Sequence, residues 1–258
     1  MRTWRVLILM LFGITAIANA QSSQLIDLTY SFSAETIYWP NAGGFVLTKD
    51  ADGITAKGYY YASNSYAAGE HGGTHFDAPL HFAQGKPGVD QIPLERLFAP
   101  AVVIDVQNQA AKNRDYLIQV SDIQDWEKAN GKIPDGCILL FRTGWGKFYP
   151  NRASYLGTER RGEQVVPELH FPGVGPEAAS WIVKNRKISI LGIDTASIDR
   201  GQSQLFEVHQ ILFKAGICAL ENVANMDQLP VKGAEIIALP MKIQGGTGAP
   251  VRIVAFLH

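Results

Sequence analysis

From residue 100 onward the chain alternates short apolar runs rich in Val, Ile and Leu with segments that carry helix signals, and no other feature narrows its fold as much. Ala101–Val106, Cys137–Arg142, Ile188–Asp194 and Ile217–Val223 are four to eight residues long and apolar almost throughout, the pattern of buried strands. Between them lie helix signals. Ser121-Asp-Ile-Gln124 has the form of a capping box and opens a helix that ends near Gly131. Pro176 stands where a first-turn proline belongs, ahead of Glu-Ala-Ala-Ser-Trp-Ile-Val-Lys. Leu205–Ala215 is apolar at 205, 206, 208, 211, 212 and 213, a helical stripe closed by Gly216. Ile236–Ile243 and Val251–Leu257 read as strands joined by the turn Gln244-Gly-Gly-Thr-Gly-Ala-Pro250. The first hundred residues, glycine-rich and without helical periodicity, read as strand and loop. The expectation is a mixed α/β chain without repeats, with the polar stretch Lys147–Gly173 as a functional cover.

The first twenty residues stand apart. Arg2 and Arg5 precede an apolar run of eleven, Val6–Ala16, and then Ala18-Asn19-Ala20, which is the three-part pattern of a secretory signal peptide. Eleven residues are few for a membrane span, although an uncleaved anchor is the alternative. The expectation is a leader over 1–20, a single domain over 21–258, and a secreted or periplasmic protein with no membrane contact once the leader is removed. A formal net charge of −1 supplies no field to attract nucleic acid. Cys137 and Cys218 lie in apolar runs and form no CxxC pair, so they are not a metal site; buried thiols and a disulfide both remain open.

The chemistry is concentrated in His71-Gly-Gly-Thr-His75-Phe-Asp77-Ala-Pro-Leu-His81, which holds three of the six histidines. The ionisable residues fall at even offsets, and an extended strand sends even offsets to one face. On a helix the same offsets scatter around the axis, and Gly72, Gly73 and Pro79 argue against a helix. Imidazole and carboxylate without thiolate suit Zn2+, Mn2+ or Fe2+. A lone histidine is more often a hydrogen-bonded residue than a ligand; four such groups in eleven positions are harder to dismiss. Glu221 lies within Ile-Cys-Ala-Leu-Glu-Asn-Val, where a buried carboxylate needs a partner. His209, on the amphipathic helix, reads by itself as a core or surface histidine. Phe76 and Phe82 fall on the opposite parity and could be aromatic wall or core.

These residues carry a resemblance. The run from His71 to Phe82 is similar to the HxGTHxDxPxHF signature of the cyclase family of metal-dependent hydrolases, which includes kynurenine formamidases and isatin hydrolases. Ile37-Tyr-Trp39-Pro40, Phe171-Pro-Gly173, Leu191-Gly-Ile-Asp194-Thr-Ala-Ser197-Ile-Asp199 and Lys242–Arg252 resemble further blocks of that family, and His209 and Glu221 stand twelve residues apart as its second pair of ligands does. The resemblance implies a swivelling β/β/α fold and a homodimer or homotetramer. It also implies one or two divalent ions, Zn2+ or Mn2+. His71, His75 and Asp77 would hold the first, and Asp77, His209 and Glu221 a second. His81 would be the proton donor and acceptor, and Trp39 would contact the substrate. The activity implied is hydrolysis of a C–N amide bond in a small, aromatic formamide or cyclic amide, with a lactone as an alternative.

Two rivals are weighed from the residues themselves. A serine hydrolase lacks its GxSxG: Gly201-Gln-Ser203-Gln has no second glycine. A non-catalytic periplasmic metal- or solute-binding protein would hold metal and hydrolyse nothing. Gly245-Gly-Thr-Gly248 lacks a P-loop lysine and precedes a strand, so a turn is the better reading.

Overall fold

The computed structural model describes residues 24–257, so the leader-like segment lies outside the described residues. In chain order it contains β1 (Gln24–Asp27), β2 (Val46–Ile54), β3 (Tyr60–Ala67), β4 (His75–Asp77), β5 (Phe98–Asp105), α1 (Gln107–Lys112), β6 (Leu117–Ile118), α2 (Val120–Asn130), β7 (Ile138–Arg142) and α3 (Arg152–Leu156). It continues through β8 (Gly173–Val174), α4 (Pro176–Asn185), β9 (Ile190–Ile193), α5 (Glu207–Lys214), β10 (Cys218–Glu221), β11 (Lys232–Pro240) and β12 (Gly248–Leu257).

The main sheet has eight strands in the order β1-β12-β11-β5-β7-β9-β10-β4, and β4 also pairs with β12, which closes the sheet into a ring with β1 as an extra strand. Pairing from β5 through β7 and β9 to β10 is parallel, and the rest is antiparallel. The parallel strands explain the continuous apolar runs, because both their faces are covered. Ala101, Val103, Ile138, Leu140, Ile190, Cys218 and Leu220 point into the barrel core. Their neighbours Val102, Ile104, Leu139, Phe141, Leu191 and Ala219 pack on a second core that includes residues of α2, α4 and α5. The architecture is the mixed α/β, β/β/α type expected.

Several boundaries differ from the sequence reading. The box that opens α2 is Gln119 with Asp122, not Ser121 with Gln124, because Asp122 Oδ2 accepts the Gln119 N–H one turn earlier. Helix α5 begins at Glu207, since Asp199 accepts the first free N–H groups of Val208 and His209. The two cysteines are free and buried, one in each core.

Candidate metal centre and active site

The His71–His81 segment is a true strand only over His75–Asp77. Its parity is as expected there: Phe76 enters the barrel core while His75 and Asp77 face the other way. His71 and His81 reach the same place by different means. Gly73 turns the chain at φ 55°, a conformation that favours glycine, and Pro79–His81 forms a 3-10 turn rather than extended chain. The proline at the start of that turn lacks an N–H that would have gone unsatisfied. Convergence of all four side chains therefore depends on two kinks, not on one continuous strand.

Strand β10 lies antiparallel beside β4 and sets Glu221 opposite His75. His75 Nε2 is 3.2 Å from Asp77 Oδ1 and 3.3 Å from Glu221 Oε2. His209, presented by α5, places Nε2 3.2 Å from Glu221 Oε1 and 3.5 Å from Asp77 Oδ2. His71 Nδ1 is 2.7 Å from Asp77 Oδ1. His81 stacks on the His71 ring at 3.7 Å between centroids. Two sets of donor atoms, His71–Asp77–His81 and His75–Asp77–Glu221, are close enough to hold an ion each, and Asp77 belongs to both. His209 adjoins the second set through Glu221.

The electrostatics fit a cation. Burial alone would raise the Asp77 carboxyl, but the His75 and His71 imidazoles pull it well below the ordinary carboxylate range. Burial and the Asp77 charge push Glu221 up, yet His209 and His75 outweigh them and hold it down. Burial would lower His75, and Asp77 with Glu221 instead lifts it to about 10. His209 is carried well above its usual value, against burial, by Asp199, Asp77 and Glu221. Among the described residues Asp77 Oδ2 is buried with no hydrogen bond, His209 Nε2 standing off at 3.5 Å, a costly state that a divalent ion would relieve. The nitrogen and oxygen donors therefore suit a divalent ion. Burial drives His81 the other way, down to about 4, so its imidazole is uncharged at neutral pH.

Several supporting residues escaped the sequence reading. Asp199 lies 2.6 Å from His209 Nδ1 and so orients that ring. Asn222 donates to the Gly73 carbonyl, which also lies 3.0 Å from His75 Nδ1, and it accepts from Tyr155. In sequence Asp199 is visible only as the last residue of the family-like block Leu191–Asp199, with nothing there to pair it with His209.

A cavity of about 620 Å3 opens onto this centre. His71, His75, His81, His209 and Glu221 share its lining with Trp39, Phe82 and Phe206, and Glu163, Gln164, Val166 and Pro167 add to that lining from within the stretch Lys147–Gly173. Trp39 meets Phe206 edge-on at 5.7 Å. Of the two phenylalanines left open, Phe76 is core and Phe82 is wall.

A closed α/β barrel whose outer face carries buried imidazoles and carboxylates beside an aromatic cavity defines the class. The putative cyclase family model matches residues 26–200, and the chain belongs to that family. It is 36% identical over 208 residues to the isatin hydrolase of Roseibium aggregatum, covering 78% of this chain and 76% of that one. It is 30% identical to the kynurenine formamidase of Salinibacter ruber, over 89% and 96% of the two chains. The solved structure of isatin hydrolase A from Ralstonia solanacearum superposes with a TM-score of 0.82 at 34% identity, over 92% of each chain.

Proposed function

We propose that this chain is a metal-dependent hydrolase that cleaves the C–N bond of a small aromatic formamide or cyclic amide. The observation that carries the reading is a single cavity whose lining joins the histidine–carboxylate cluster to Trp39, Phe82 and Phe206. The similarity to proteins named isatin hydrolase and kynurenine formamidase supports it, since one name specifies a cyclic amide and the other a formamide. A divalent ion, Zn2+ or Mn2+, held by His71, His75, Asp77, His209 and Glu221 would supply Lewis acidity and make hydroxide available near neutral pH. Trp39 and Phe206 hold a flat ring against the cavity wall. His81 takes the proton of the attacking water and returns it to the leaving nitrogen, which would otherwise depart as a poor amide anion. The leader-like N-terminus supports an exported protein, and we propose a homodimer or homotetramer.

Metal analysis of the purified protein, followed by assays on N-formyl aryl amines, isatin and simple lactones before and after EDTA, tests this reading. The expected result is amide hydrolysis that chelation abolishes and Zn2+ or Mn2+ restores. A stoichiometry of one Mn2+ with isatin as the preferred substrate would select the isatin hydrolase-like alternative. Hydrolysis surviving complete removal of metal would sink the proposal. Bound metal with no turnover of any amide or lactone would favour a binding protein.

A further inference from the structure

The turn between β11 and β12, which reads from sequence as a bland glycine loop, lies against the metal centre. Thr247 Oγ1 is 2.8 Å from His71 Nε2, and it donates to Glu70 Oε2 at 2.5 Å. The Thr247 N–H donates to the same carboxylate oxygen at 3.0 Å, and the Thr247 carbonyl accepts from Ala78. The glycines on either side leave room for this approach, Gly248 above all, where a Cβ would also lie 2.5 Å from the Phe76 carbonyl oxygen. A Cβ on Gly246 would lie 2.9 Å from Glu70 Oε1, and one on Gly248 would lie 2.5 Å from His71 Cε1. The turn is thus shaped to deliver one hydroxyl to one ring nitrogen.

Proton accounting gives that hydroxyl a role. Thr247 has a single hydroxyl proton, and Glu70 Oε2 takes it. The 2.8 Å contact with His71 must then be filled by a proton on His71 Nε2, accepted by the Thr247 oxygen. A neutral His71 ring consequently keeps its lone pair on Nδ1, and Nδ1 is the atom 2.7 Å from Asp77 Oδ1. Two unshared pairs meet there, so the contact is held either by a second ring proton or by a cation bound to both atoms. His75 and His209 are arranged oppositely. The Nδ1 of each is engaged, with the Gly73 carbonyl and with Asp199 respectively, which leaves Nε2 toward the carboxylates.

We infer that Thr247, anchored by Glu70, is a positioning residue that fixes the tautomer of His71 and makes Nδ1 its metal-binding atom. This rests on the metal site proposed above. Cobalt(II) titration of the metal-free protein, read by visible absorption, tests it on the folded chain. Thr247→Val keeps the shape and loses the hydroxyl, and it should weaken Co2+ binding by about 10- to 100-fold with an altered spectrum. Thr247→Ser, which restores the hydroxyl, should return the affinity to within about threefold of wild type. Where Thr247→Val does not fold, Glu70→Ala applies the same test and should weaken Co2+ by several-fold, because the hydroxyl proton is then free to turn toward His71. Long-range 1H–15N spectra of the Zn2+ protein should show His71 protonated at Nε2 and His75 at Nδ1. Unchanged Co2+ affinity and spectrum in a folded Thr247→Val or Glu70→Ala protein, or His71 protonated at Nδ1, would overturn the inference alone. A wild-type protein that binds no Co2+ would overturn the site and the inference together.

Discussion

His75 reaches both Asp77 and Glu221, whereas His81 stacks on the His71 ring and faces the cavity. Their loss should therefore read differently. His81→Ala is expected to retain bound metal and lower kcat by about 10²- to 10⁴-fold, the range for a lost general acid–base. His75→Ala is expected to lose metal and turnover together. Metal content and kcat measured on the same preparations check this, and a His81→Ala enzyme with full kcat would remove His81 from the proton path. At this scale the sequence was informative about residue type. Three imidazoles and one carboxylate packed into eleven positions point to a cation before any fold is considered. The partners of those ligands were not legible. Asp199 and Thr247 are ordinary polar residues in sequence, and Thr247 meets His71 across 176 positions, a separation no local pattern records.

Among the elements, the parallel strands β5, β7, β9 and β10 were legible because burial on both faces leaves an uninterrupted apolar run. The hairpin β2–β3 was legible only as part of a strand-and-loop region, without its bounds or pairing. Its first strand reads Val-Leu-Thr-Lys-Asp-Ala-Asp-Gly-Ile, exposed almost throughout, so no buried face imposes a period on it. The short helices α1 and α3 were also missed, being too brief for periodicity to show. Helices α2 and α4 are tied by Glu127, which accepts from Arg186 Nε at 2.6 Å and also pairs with Arg186 Nη2, and Arg186 lies over the Trp181 ring at 4.6 Å. The hydrogen bond from Arg186 lowers the Glu127 carboxyl below its ordinary value of 4.5. A depressed folded-state pKa stabilises above the unfolded value and ceases to do so as pH falls through the folded one. Glu127→Gln should therefore cost about 2 kcal/mol at neutral pH, and the gap to wild type should close as pH drops below about 4.5. Urea titrations of both proteins at several pH values test this, and a gap independent of pH would refute it.

Across the molecule, closing the sheet through β4 leaves β2 and β3, among the described residues, paired only with each other. Leu47, Ile54, Tyr60 and Tyr61 on that hairpin are each more than half exposed. A lone two-stranded hairpin is marginal in water, and an exposed apolar surface of this kind marks association. The proposed homo-oligomer gives it a cover. Light scattering combined with intact mass should find a dimer or tetramer of chains beginning near Gln21, and Leu47→Lys with Tyr61→Lys should shift it toward monomer. A wild-type monomer would dismiss the oligomer.

The mixed α/β class and the clustering of imidazoles around a carboxylate were readable in the chain itself, because apolar runs and clustered histidines act over a few residues and are written locally. How the cluster is assembled depended on contacts between distant segments. The closed sheet sets β10 beside β4, α5 lowers His209 onto Glu221, and the glycine turn after β11 brings Thr247 to His71. Each of these contacts joins segments distant in sequence, and it is backbone pairing and packing, not local pattern, that bring them within hydrogen-bond reach.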